Sequence, residues 1–415
     1  MARLFGDAGR MDDAPLAPAS THRFARKRDA IIAAATHILN QRGVKGMTLA
    51  DVAASVGLIT TSVTYYFRKK DELAAACFFA GIAQLEAMAD DALQAPTREA
   101  RVRRFLDRYL EAKAAIRLDE RPPIPSFADV RALTSPHLQQ VSAAYGDMFR
   151  RVRGLIWDGD PAGRRGANAR THMLLEQILW AVVWLPRYEV EDYPRIRDRL
   201  ADILAHGLAA DGAAWAPQPL PLPLDPLEMA GRDTFLIAAT RLINQRGYRG
   251  ASVDKISAEL KVTKGSFYHH NEAKDDLVAA CFERSFEVVR QVQNAAMRIP
   301  GDQWTRLSSV AAGLVGYQLS SRGPLLRSSA LSSLPTALRQ QMVEHSNRLS
   351  DRFSAMISDG VAEGSLRPVD PVIAAQVLNA GLNAAGDLDA WVRGVEPGEA
   401  PALYARPMLM GMLRH

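Results

Sequence analysis

The chain has 415 residues, 48% hydrophobic, 23% charged and 7% aromatic, a globular composition too apolar for a disordered protein. Its length suits about two to four domains, and a net charge of +5 permits a basic surface without dictating one. Two cysteines, Cys77 and Cys281, exclude a disulfide framework and a cysteine-rich zinc domain.

Residues 1–22 are small, polar and proline-interrupted, and read as a flexible leader with no apolar stretch for a signal peptide. The longest fully apolar run, Ile178 to Pro186, is about half of a membrane span, so a cytoplasmic protein without a membrane segment is expected. Residues 23–78 read as four helices. In the first, Ile31, Ala34, Ala35, Ile38 and Leu39 keep amphipathic spacing until Gly43 closes it. Thr48 can cap the second, with Asp51 in capping-box position. Leu49, Val52, Ala53 and Val56 form its apolar face, and Gly57 ends it. The third runs from Thr60 to Phe67, and the fourth opens near Lys70. Two short helices starting about ten residues apart fit a helix-turn-helix, a spacing that generic helical hairpins share. Residues 79–215 keep a long helical period with few strand signals.

Prolines at 217, 219, 221, 223 and 226 make residues 216–231 a stiff, extended linker. Beyond it the first pattern returns. Asn40-Gln41-Arg42-Gly43 recurs as Asn244-Gln245-Arg246-Gly247, an offset of 204, and Ala75-Ala76-Cys77-Phe78 meets Ala279-Ala280-Cys281-Phe282. Residues 28–78 and 232–282 share about 19 identities in 51 gapless positions, which marks a duplication. The cysteines are therefore equivalent core positions, not a redox pair. The second copy repeats the four helices at Thr234–Gln245, Ser252–Leu260, Thr263–His270 and from Lys274. Residues 232–282 form its head and 283–415 its own long helical segment, the counterpart of 79–215.

Leu260 to Leu277, LKVTKGSFYHHNEAKDDL, closely resembles the recognition segment of the TetR family of transcriptional regulators. The preceding NQRGYRGASVDKISAEL is similar to that family's first two helices, and GVKGMTLADVAASVGL and YYFRKKDEL carry the resemblance in the first copy. The resemblance implies an all-α chain of two tandem units, each a helix-turn-helix followed by a ligand-binding and dimerising domain. It also implies that Arg170–Trp184 with Tyr193–Leu208, and Pro371–Trp391 with Glu399–Leu413, are pairing helices.

A recognition helix points its N-terminal side chains into the major groove while amides and hydroxyls near helix starts hold phosphates. In the second copy Thr263 would cap that helix, Lys264 reach a phosphate or guanine edge, and Gly265 allow close approach. Ser266, Tyr268, His269 and His270 supply polar contacts, and Ser252 opens the helix before. The resemblance assigns Tyr268 and Lys274 to phosphates. The first copy departs from the family: Ile59, Thr60, Thr61 and Thr64 replace the usual cap, Lys, Gly and Tyr. Thr48, Thr60, Thr61, Ser62, Thr64, Tyr65, Tyr66 and Lys70 still offer hydroxyls, aromatic edges and charge. Arg23, Arg26 and Lys27 lie just before helix one as a basic arm aimed at phosphate or the minor groove. Residues 20–72 hold nine basic against four acidic residues, net +5, and residues 228–277 eight against seven, net +1. The two heads are expected to read different sequences.

No P-loop, G-x-S-x-G, H-E-x-x-H or dinucleotide fingerprint is present, so neither an enzyme nor a cofactor is expected, and adjacent His269 and His270 without further ligands do not indicate a metal. Tyr145, Phe149, Trp157 and His172 are weak ligand candidates against plain core packing. The expected partners are a double-stranded DNA operator and a hydrophobic or aromatic effector. The expected assembly is an intrachain pseudo-dimer, with a further homodimer left open. The expected function is a ligand-responsive regulator, a repressor, on an imperfect palindrome. The alternative is a ligand-sequestering or adaptor protein with one or both heads silent.

Overall fold

The structure, a computed structural model, describes residues 19–220, 230–247, 274–327 and 334–414, and residues 255, 257, 258, 330 and 331. In the first half α1 (Ala19–Gly46), α2 (Leu49–Ser55) and α3 (Thr60–Tyr66) close around Ile31, Leu39, Val44, Met47, Val52, Val63 and Phe67, all buried. Gly43 breaks α1 with φ 66°, so the helix proper ends where the sequence placed its cap. α4 (Lys70–Leu93) leaves this head and runs into the regulatory core. By length and composition α4 could cross a membrane, but 56% of its apolar window is buried inside the fold. α5 (Arg98–Arg117), a 3-10 turn at Phe127–Ala132, α6 (His137–Arg153), α7 (Arg164–Trp184) and α8 (Tyr193–His206) complete that half.

The second half repeats the order with α9 (Ala230–Arg246), α10 (Lys274–Ala296), α11 (Gln303–Leu319), α12 (Thr336–Glu363) and α13 (Pro371–Ala384). It ends with α14 (Leu388–Trp391) and a π turn, Pro401–Ala405, running into α15 (Arg406–Met410). Among the described residues there is no named strand, only an isolated bridge between Ala209 and Leu366. The duplication is visible atom by atom. Both free cysteines are buried, and the Cys77 thiol lies 3.7 Å from the Ile32 carbonyl, as Cys281 does from that of Leu236. Burial pushes the thiols up to about 11 and about 12, so neither is a reactive thiolate. Asn40 donates to the Ile124 carbonyl (2.9 Å) and accepts from the Ser126 N–H (2.7 Å), and Asn244 does the same with Leu325 (2.9 Å) and Arg327 (3.1 Å). One amide thus anchors each head to the turn beneath it.

Two expectations shift. Arg23 to Arg28 do not form an arm before helix one; they are its first turns, because no breaker stands between Ala19 and Gly43 and Ala, Arg and Lys favour the helix. Likewise α9 begins at Ala230, inside the expected linker, while α1 reaches back to Ala19, inside the expected leader. Of the apolar residues expected to pair, Ile178, Trp180, Trp184, Ile203 and Leu204 are buried, but Val183 is 37% exposed.

The two halves pack through their last helices. Gln177 on α7 donates to the Val377 carbonyl at 3.1 Å, and the Trp180 indole donates to the Gln376 side chain at 3.1 Å. The Leu208 N–H donates to the Leu409 carbonyl (2.7 Å) and the Met412 N–H to that of Leu204 (2.8 Å), a reciprocal exchange. Gly207 and Gly411, at the 204 offset, make this possible: both have positive φ, and a Cβ on either would strike backbone of the other half.

Candidate nucleic-acid interface

The first head positions its polar residues from the core outward. Val63 and Phe67 are buried and fix α3, which turns Thr60 and Thr61 to solvent. Thr48 caps α2, accepting from the Asp51 N–H at 3.1 Å. Its own proton goes to the Asp51 carboxylate (2.7 Å), so the reciprocal bond of a capping box is made side chain to side chain. Thr64 donates to the Thr61 carbonyl at 2.9 Å, binding that hydroxyl to its own helix. Ser62 and Tyr66 are half-buried, and Tyr65 is 76% exposed.

A residue that the sequence reading passed over joins the basic turns to α3. Phe24 on α1 packs its ring 4.7 Å from that of Tyr66 and 6.1 Å from that of Tyr65, and the two tyrosines meet edge to face at 5.3 Å. Arg23, Arg26 and Lys27, on the same turns of α1 as Phe24, are exposed. Sequence could have signalled it, since Phe24 is an aromatic residue inside a cationic run. Lys70 is turned inward instead: its ammonium donates to the carbonyls of Val44 (3.4 Å) and Lys45 (3.2 Å), bracing the end of α1.

For the second head, Ser252, Thr263, Lys264, Gly265, Ser266, Tyr268, His269 and His270 lie outside the described residues. Lys274 is the first described residue of α10. This head is tied down by arginines. Arg241 donates to the carbonyls of Gly323 (2.9 Å) and Ser321. Arg284 pairs with Asp233 at 2.5 Å and donates to the Tyr317 hydroxyl at 2.8 Å.

The 3-10 turn of the first half touches both heads. Asp129 accepts from the Val44 N–H at 2.5 Å, and a Cβ on Gly247 would lie 3.2 Å from its other carboxylate oxygen. Two residues on, Arg131 donates to the Asn244 carbonyl (2.7 Å) and pairs with Asp387 (2.9 Å), which also pairs with Arg327. The sequence does not single these out, because one short turn carries no periodic signal.

Three of the four ligand candidates converge at the seam between the halves. Phe149 stacks on Trp391 at 3.9 Å, Tyr145 lies 5.8 Å from the same ring, and His172 lies 6.2 Å from it and 5.9 Å from Tyr404. The His172 Nδ1 and the Tyr404 hydroxyl are buried without a hydrogen-bond partner. Burial pushes His172 down to about 3 and raises Tyr404, so both stay neutral near pH 7. Trp157 does not join them: its indole donates to the Asp160 carbonyl at 2.9 Å, beneath the Arg153 guanidinium, and closes its own turn.

The family model of bacterial regulatory proteins of the tetR family matches residues 31–77 and again residues 235–281. Two TetR-family units stand in tandem in this chain. The first match runs from within α1 into α4 and the second from within α9 into α10, the stretch that repeats at the 204 offset. Among similar proteins, the TetC protein of transposon Tn10 from Escherichia coli is 24% identical over 144 residues, 34% of this chain and 71% of that protein. An uncharacterized HTH-type transcriptional regulator of Mycobacterium bovis is 32% identical over 133 residues, 31% of this chain and 63% of its own length. The HTH-type transcriptional repressor DhaR of a Mycobacterium species is 27% identical over 139 residues, covering 33% and 70%. Among solved structures, the TetR-family regulator PfmR of Thermus thermophilus gives a TM-score of 0.36 at 20% identity, covering 43% of this chain and 99% of PfmR. AibR, solved with isovaleryl coenzyme A and operator DNA, gives 0.35 at 21% identity, covering 44% and 98%. Residues 31–77 and 235–281 both match that family's DNA-binding segment, so the chain carries the segment twice.

Proposed function

We propose that the two unequal heads read the two halves of an imperfect palindrome, with one chain doing the work of a dimer and a bound effector releasing a repressor from its operator. The observation that carries this reading is the reciprocal exchange between Leu208 and Leu409 and between Met412 and Leu204, joined by the α7–α13 contacts. Such pairing is what two regulatory domains make across a two-fold axis. The 3-10 turn that reaches both heads adds support, because two heads about one DNA turn apart, ~34–36 Å, need a fixed spacing to meet successive major grooves. On this reading Arg23, Arg26 and Lys27 bind phosphate, and Thr60, Thr61, Tyr65 and Tyr66 face bases or sugar. Thr263 to His270 do the corresponding work in the second head. The seam around Tyr145, Phe149, His172, Trp391 and Tyr404 favours a hydrophobic or aromatic effector with a hydrogen-bonding group.

Selection of random duplexes by the full chain tests the proposal. Enrichment of one asymmetric site with two different halves is expected. Enrichment of a single half-site would mean one silent head, the outcome that Thr60 and Thr61 in place of Lys and Gly would explain. No enrichment at all would favour the sequestering or adaptor reading.

A further inference from the structure

Behind the first head, α1, α4, the start of α6 and the turn at Pro122–Pro125 line an open cavity of about 620 Å³, within the range of small-molecule sites. Asp29 and Glu72 bring carboxylates to its wall, and Phe67, Ala80 and Pro122 bring apolar surface. Glu72 accepts the Arg68 N–H at 2.9 Å, whereas no described side chain pairs with Asp29. Arg28 also lines the cavity, with its guanidinium held over the Phe67 ring at 5.6 Å.

The second copy fills the same place with its own side chain. At the 204 offset Ala80 becomes Arg284 and Asp29 becomes Asp233. The Arg284 side chain, 8% exposed, crosses from α10 to α9 and donates from Nε to Asp233 at 2.5 Å. Its Nη2 donates to the Tyr317 hydroxyl (2.8 Å) and to the Arg322 carbonyl (3.0 Å). That carbonyl belongs to the turn that Asn244 clamps, the counterpart of the Pro122–Pro125 turn that Asn40 clamps. The first copy thus keeps the carboxylate and the turn, and has a cavity where the second has a guanidinium.

We propose that this cavity is a binding site for a small organic cation, a guanidinium or alkylammonium, which pairs with Asp29 as Arg284 pairs with Asp233. A planar guanidinium matches a carboxylate through two parallel N–H donors, and the apolar wall accommodates its alkyl stem. An occupant would fasten α1 to α4 and the turn, as Arg284 fastens α9, and so fix the first head against its regulatory domain. That consequence for DNA rests on the regulator reading; the binding itself does not.

The probe is n-propylguanidinium, an arginine side chain cut at Cβ, titrated into the full chain at constant ionic strength and followed by ligand-observed NMR. Saturable one-to-one binding is expected, weakened at least about tenfold by Ala80→Arg, which fills the cavity, and by Asp29→Asn, which removes the charge. Arg284→Ala should add a second site. Absence of saturable binding, or binding that neither substitution changes, overturns the proposal. Should Ala80→Arg fail to fold, Asp29→Asn, a change at an exposed helix position, makes the same comparison. A chain that binds the probe here but no duplex would sink the regulator reading and leave the site standing.

Discussion

Asn40 holds the first head to the turn at Ile124 and Ser126, and Asn244 holds the second to Leu325 and Arg327 with the same two bonds. Around that shared anchor the copies differ. The second adds Arg241 and Arg284, each reaching from a helix to the turn beneath the head. The first has His37 and Ala80 at those offsets; His37 meets only Gln41 of its own helix at 2.9 Å, and Ala80 borders the cavity. One fold can therefore fasten a head with its own cations or leave the fastening open.

The largest expected effect tests that difference. Arg284→Ala should strand Asp233 and the Tyr317 hydroxyl and lower the unfolding free energy by about 2 kcal/mol in a urea titration. Asp29→Ala, the change on the open side, should cost no more than about 0.5 kcal/mol. Equal losses would break the comparison. Next comes the shared anchor. Asn40→Ala and Asn244→Ala should each cost about 1–2 kcal/mol, because each leaves a half-buried N–H and carbonyl unpaired. A cost confined to one copy would show that the two heads are not anchored alike.

The smallest effect concerns a place where the repeat is broken inside the seam. His172 has Gln376 at its 204 offset. The unfolded chain protonates this histidine near 6.5, the folded chain only near 3. The depressed folded value means that protons favour the unfolded state. Stability is therefore full above about 6.5 and falls as the pH drops through that window, by at most about 1.4 kcal/mol per unit from this group. His172→Gln should flatten the change in thermal midpoint between pH 6 and pH 5. An unchanged slope would mean that His172 is not held neutral by burial.

Much of this architecture is legible in the sequence. The 204 offset divides the chain into two units, and the starts of α2, α3 and α4 fall where Thr48, Thr60 and Lys70 placed them. Local chemistry writes such boundaries: a hydroxyl that can cap, an apolar period, a glycine that can end a helix. The helical state of Arg23 to Arg28 is not legible, because a basic run reads equally as an arm or as a helical turn until something packs on it, and Phe24 packs on Tyr65 and Tyr66. The inward turn of Lys70, the reach of Asp129 and Arg131 to both heads, and the meeting of His172 with Trp391 and Tyr404 are long-range. They depend on how the halves dock, and no spacing within either half encodes that.

In the proposed function one chain supplies both halves of the DNA-binding unit. Analytical ultracentrifugation of the full chain with the duplex it selects measures this directly. One 45.4 kDa chain per duplex, with the chain monomeric in free solution, is the predicted result. Two chains on a duplex of the same length, bound through one head each, would contradict it.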